Sequence, residues 1–272
     1  MSTTTRAPKT SAPRWISAEW AKFRDLRRPR RLLITALVLG VGTAVLLILT
    51  IPATRGTALT DTGTEDVLSA GVLGVDAAAA VLVVLAAWFA GAEFRTGAIT
   101  EALLRTRGRG HIVTAKTLVI AVASAVTAVV TAVAVTLCGI VLAGTVAGAD
   151  GKEVLEVAFG PDHLRLALGG ALLPVIFSVL AVFGAVAFRS VAGGVLTPLA
   201  LLSGSMVAGW LPDGPASLIR PLLPLGAVHN VSGIAEAGGT EYVGVLPALL
   251  VLIVWVVGGA MLATWRLRRQ DF

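Results

Sequence analysis

Six apolar runs, each about as long as a bilayer is thick, constrain this chain more than any other feature. A hydrocarbon core of about 30 Å takes roughly 20 apolar helical residues to cross. The runs lie at about 32–51, 67–90, 117–147, 164–188, 191–211 and 242–265. Pro52 reads as the stop of the first, and the cluster Pro212, Asp213, Gly214, Pro215 as the end of the fifth. The third is long enough to tilt or to extend past the membrane. Between the runs too little charge remains to cover a water-facing surface: 14% of the 272 residues are charged and 56% are hydrophobic. Soluble domains carry about a quarter charged residues. The expected fold is therefore all-α, a polytopic membrane protein with six transmembrane helices. The first run follows a polar, basic segment without a small-residue cleavage site, so it reads as a retained span.

Six spans place both termini on one side, and the basic residues say which. Eighteen of the 22 Lys and Arg residues fall on the side of the termini; the other side holds Arg55, Lys152, Arg165 and Arg220. That bias puts the termini in the cytoplasm. The net charge of +6 therefore sets topology and does not imply nucleic acid. Trp88 and Trp265 at the inner ends and Trp210 at an outer end occupy belt positions for amphipathic rings. Trp255 lies mid-span as a packing residue.

Outside the spans, residues 1–13 read as a disordered tail and 14–272 as the membrane domain. Within 14–31, Ile16, Trp20 and Phe23 are spaced by four and three, one face of a helix, with Lys22, Arg24, Arg27 and Arg28 around much of the rest. An aromatic face beside a basic one suits a helix lying flat in the membrane interface. The loop after the second run, GAEFRTGAITEALLRTRGRGHIVTAK, can form a short helix over 98–105 with Ile99, Leu103 and Leu104 on one face. The stretch 211–241 is semi-apolar and rich in proline, which suggests short helices dipping into the outer leaflet.

Chemistry-bearing motifs are sparse. His111, His163 and His229 are scattered over both sides, and Cys138 is the lone cysteine, so no paired metal spacing exists. There is no GxxxxGKS/T phosphate loop. Leu202, Ser203, Gly204, Ser205 lies inside a span, where its likeness to a nucleotide-binding signature has no use. Asp76 is the one acid within a span. A charge at that depth is costly and marks a candidate substrate, proton or cation pathway.

The string Glu93-Phe94-Arg95-Thr96-Gly97-Ala98-Ile99, directly after the second run, resembles a motif of ABC-2 type permease subunits, in an actinobacterial-like form. A basic stretch then leads to Lys116 at the third run. Glu19-Trp20-Ala21-Lys22-Phe23 is similar to the family's N-terminal elbow helix, and Arg-Leu-Arg-Arg-Gln-Asp follows the last run. Ala98 stands where the family often has threonine, and a proline common before the basic stretch is missing near Arg107. The resemblance implies a permease subunit of an ABC exporter in the bacterial cytoplasmic membrane, paired with a second copy or a paralogue. It implies a separate cytoplasmic ABC ATPase, which would carry the ATP and magnesium, so no cofactor and no catalytic residue is expected here. Glu93, Phe94, Arg95, Thr96, Gly97, Ile99, Glu101, Leu103 and Leu104 would form the coupling helix seated in that ATPase. The substrate class suggested by the apolar interior is amphipathic: drug-like, lipid or peptide. The competing readings are a gradient-driven secondary transporter using Asp76, and a non-transporting membrane anchor.

Overall fold

A computed structural model of the chain describes residues 12–56, 58–99 and 109–269. Among the described residues every regular element is helical. An interfacial candidate α1 (Ala12–Asp25) precedes α2 (Arg27–Arg55), α3 (Thr64–Val72), α4 (Gly74–Thr96) and the long α5 (Arg109–Thr145). Then come α6 (Gly151–Ala158), α7 (Pro161–Gly170), α8 (Leu172–Ala187), α9 (Val191–Ala208), α10 (Asp213–Ile219), α11 (Pro224–Ser232) and α12 (Val245–Arg268). Six spans result: α2, α3 with α4, α5, α7 with α8, α9, and α12. The protein is a multi-pass α-helical membrane protein.

A buried layer of α4 and α8 organises the bundle. α4 packs on α2 and α8, and α8 also meets α5, α9 and α12. Small residues let the backbones approach, as bundles in lipid require. A side chain on Gly74 would run into the Gly40 carbonyl and lie 2.9 Å from the Ala44 Cβ, which fixes the crossing of α2 and α4. Gly91 does the same for α4 and the start of α9, where an added Cβ would stand 2.7 Å from the Val191 nitrogen.

Several limits differ from the sequence reading for physical reasons. Pro52 does not stop the first span. It sits in the last turn of α2, and the helix ends where Gly56 turns left-handed (φ 69°) and donates its N–H to the Pro52 carbonyl at 3.0 Å. The second span reaches Thr96 and bends at Leu73; the fourth bends at Ala171. Glycines beside each bend pack against backbone: Gly74 on Gly40, and Gly169 on Ser232. The expected 14–31 elbow divides. α1 ends at Asp25, and Arg27 to Arg31 already belong to α2.

Six crossings gather α1, the α4–α5 connection, the α8–α9 turn and the last residues of α12 at one end, called the basic end below. At the far end, short helices α10 and α11 form in the proline-rich stretch, and α11 packs against α7 and α12. Asn230 anchors that cap. It is 1% exposed, donates to the carbonyls of Gly226 (2.8 Å) and Glu241 (2.7 Å), and accepts from the amides of Val243 (2.8 Å) and Gly244 (3.1 Å).

Candidate functional site

At the basic end four charges from three elements converge. Glu19 and Lys22 are three apart on α1 and so share a face. Glu93 lies in the last turn of α4, and Lys116 in the second turn of α5. The Lys116 ammonium, 1% exposed, donates to Glu19 Oε2 at 3.0 Å and approaches Glu93 Oε1 at 2.9 Å. Lys22 Nζ reaches Glu19 Oε1 at 2.6 Å and Glu93 Oε1 at 3.2 Å. The set is electrically neutral and alternates in sign, which is how charges withstand burial.

An aromatic wall excludes water on the inner side. Phe89 stands one turn before Glu93, with its ring centroid 4.8 Å from the Lys116 ammonium and 5.4 Å, edge-on, from the Phe23 ring. The Arg28 guanidinium lies over Trp88 at 5.4 Å, so α2 is tied to the same stretch of α4. Trp15 meets His111 at 3.7 Å between ring centroids, a second clasp between α1 and α5.

Burial pushes the Glu19 carboxyl up, but Lys116 and Lys22 together outweigh it and hold the group below its ordinary 4.5. Burial pulls Lys22 down, and Glu19 with Glu93 more than restores it, leaving it above its ordinary 10.5. Glu93 Oε2 is buried without a hydrogen-bond partner among the described residues. The carboxylate is thus held through one oxygen.

The residues expected to form the coupling segment divide. Phe94 packs half-buried on the core, Arg95 and Thr96 are exposed, and Ile99 is buried at 3% exposure. Thr96 Oγ1 donates back to the carbonyls of Ala92 and Glu93, both at 3.4 Å. Gly97 ends α4 in the left-handed region (φ 72°), where a β-carbon would be strained although it would touch nothing. Helix resumes at 98–99; Glu101, Leu103 and Leu104 lie outside the described residues. The aromatic triad of α1 also divides. Ile16 and Trp20 are exposed at 38% and 41%, while Phe23 turns into the bundle at 7%.

Asp76 belongs to a different place. Seventeen residues before Glu93, it stands about 25 Å away along the helix. It occupies the first turn of α4, just past the bend, exposed on the flank of the chain and within electrostatic range of His229. His229 Nδ1 in turn lies 2.9 Å from Glu241 Oε2, and Glu241 pairs with Arg220, which also donates to Thr240 Oγ1 at 2.8 Å. Asp76 therefore has charged company that the sequence did not reveal.

Sequence reasoning also missed Glu19, Lys22 and Lys116 as site residues, taking them as topology charges or as parts of a motif string. One signal was available: of only four lysines among 22 basic residues, two meet here.

Six apolar helical spans, with a loop whose two ends are clamped to an N-terminal helix by buried ion pairs, define a multi-pass membrane component of the transporter type. The family of ABC-2 family transporter proteins matches over residues 15–205, most of the chain, and the chain belongs to that family. It is thus a membrane permease component. Among curated proteins none matches it.

Proposed function

We propose that this chain is the membrane-spanning subunit of an ATP-driven exporter, acting with a separate cytoplasmic ABC ATPase and a second copy or paralogue. In this reading the basic end is cytoplasmic, by the distribution of Lys and Arg. The segment from Glu93 to Leu104 receives the push of the ATPase. The observation that carries the reading is the Glu19–Lys22–Glu93–Lys116 cluster. It joins the start of the loop (Glu93), its end (Lys116) and the α1 helix into one body. A displacement of the loop then moves α4 and α5 together instead of bending one of them. ATP and magnesium would bind the partner, and the cargo would be amphipathic: drug-like, lipid or peptide.

Co-purification from native membranes tests this. The chain should bring down an ATPase, and Glu93→Gln or Gly97→Ala should weaken the complex or leave ATP hydrolysis uncoupled from transport. Gly97→Ala is informative because the new methyl clashes with nothing and strains only the backbone. A stable chain that lacks an ATPase partner and transports only under an ion gradient would overturn the proposal. The Asp76–His229 juxtaposition favours that second reading, and its test is Asp76→Asn: unchanged transport removes it.

A further inference from the structure

Where α1 gives way to α2, the chain carries Arg24, Arg27, Arg28, Arg30 and Arg31, all exposed. Two of them are engaged. Arg24 Nε lies 3.4 Å from Asp25 Oδ1, and Arg28 lies over the Trp88 ring. Arg27, Arg30 and Arg31 make no ion pair among the described residues, and no acid stands in the first turn of α2. Arg30 and Arg31 follow Arg27 by three and four residues, and like charges at those spacings destabilise a helix. A bound anion relieves that repulsion.

The sequence places these arginines in an interfacial elbow, but the structure places Arg27 to Arg31 on a span. Steps of four, three and four carry Arg27, Arg31, Ile34 and Val38 along one face of α2. Ile34 and Val38 are 56% and 65% exposed. A β-carbon on Gly42, four residues further on, would meet nothing within 4 Å. Ala36, Gly40, Ala44 and Ile48 are buried and hold the other face in the bundle. From Arg31 to Gly42 the helix rises about 16 Å. That is close to one leaflet of a hydrocarbon core about 30 Å thick. An open apolar lane of one leaflet's length therefore ends at two guanidinium groups on its own stripe.

We propose that this stripe of α2 is a binding site for an anionic phospholipid, with its phosphate at Arg27 and Arg31 and an acyl chain along Ile34, Val38 and Gly42. Guanidinium pairs with phosphate through two parallel N–H···O bonds, and basic clusters beside a span attract anionic lipid. A zwitterionic lipid fits the same lane but brings a cation of its own to the arginines. The competing occupant is a second copy of this chain. Two-fold pairing through this face would set Arg27 and Arg31 against their own counterparts. A lipid phosphate offsets that charge, whereas a second copy doubles it. The site uses none of the four residues of the charge cluster, and it does not rest on the ATPase reading.

Native mass spectrometry of the full chain in detergent tests the site, with phosphatidylglycerol and phosphatidylcholine of identical acyl chains as probes. Each arginine on the stripe should contribute about fivefold, so phosphatidylglycerol should be retained over phosphatidylcholine by roughly 25-fold. Arg27→Gln and Arg31→Gln should each lower that preference about fivefold, and the double variant should remove it. Both side chains are exposed, so neither change disturbs the bundle. Arg266→Gln is the control: it removes the same charge from an exposed position at the same end of α12 and should leave the preference unchanged. Equal retention of the two lipids by the parent chain overturns the proposal. A preference that Arg266→Gln lowers as much as Arg31→Gln also overturns it, because net charge and not a site would then select the lipid. So does a dimer that Gly42→Phe dissociates by adding bulk to the open stripe, which would assign the face to a second copy.

Discussion

Lys116→Met is the sharpest perturbation of the charge cluster. Methionine keeps the unbranched length and its sulfur can remain against the Phe89 face, so packing changes little while the charge is lost. The parent cluster holds two cations and two carboxylates; the variant leaves one net negative charge in a largely buried site. Glu19 and Glu93 have side chains only 9% and 19% exposed, so water cannot compensate fully. Removing one partner of a buried pair costs about 3–5 kcal/mol, and the low end applies because Lys22 still bridges both carboxylates. At 2–4 °C per kcal/mol for a chain of this size, about 3 kcal/mol lowers the midpoint of thermal unfolding by roughly 6–12 °C. The decisive comparison is Lys116→Met with Glu93→Gln. The double variant is neutral again, with the Lys22–Glu19 pair intact, and should recover to within about 1 kcal/mol of the parent, a coupling of at least about 2 kcal/mol plus whatever Glu93→Gln costs alone. Melting curves of parent, both single variants and the double, in one detergent, measure this. Additive losses would refute the reasoning, because they would mean that the four side chains stabilise by packing and not by charge balance.

Two further outcomes follow from the same geometry. Glu19 is held below 4.5, so its contribution is complete above that value and is lost as pH falls through its depressed folded value; Lys22, held above 10.5, loses its contribution only as pH rises past its raised one. Stability should therefore be flat between 4.5 and 10.5 on account of this pair, and Glu19→Gln should flatten the acid limb of a melting-temperature profile taken against pH. Gly74→Val should cost about 1–3 kcal/mol by forcing α2 from α4 at the Gly40 contact, read as a lower melting temperature, whereas Gly42→Val, on an open face of α2, should not.

Span number and type were legible because the bilayer imposes a length that a single chain cannot evade. Each run of about 20 apolar residues became helical for that reason, two of them as a pair of helices. Limits were less legible because local breakers act weakly there. Pro52 removes only the N–H that would reach the Ile48 carbonyl, one bond in a 29-residue helix, so the helix continues to its left-handed stop at Gly56. The bend at Leu73 has no proline beside it, whereas the bend at Ala171 lies three residues before Pro174, which has no N–H to give the Gly170 carbonyl. Glycines beside both bends also let backbones touch, and only the neighbouring helix reveals that Gly74 faces Gly40 and Gly169 faces Ser232.

The site was less legible than the fold, and the reason is geometric. A Lys or Arg near a span end satisfies the orientation rule wherever it points. Whether it is solvated or buried depends on what the other helix ends place opposite it. Lys116 and Glu19 are 97 residues apart, and Lys22 and Glu93 are 71 apart. Their meeting is set by the register of α1 across the ends of α4 and α5, which Phe23 fixes by entering the bundle beside Phe89. The α1 face of Ile16, Trp20 and Phe23 was thus legible as apolar but not as divided. Two of its members remain outside, as an interfacial helix needs, and the third locks that helix to the bundle. A helix fastened in this way cannot slide independently along the membrane surface. In the proposed exporter, a force on the α4–α5 loop would reach α1 through Glu93 and Lys116, and α1 would move with the loop instead of serving as a passive anchor.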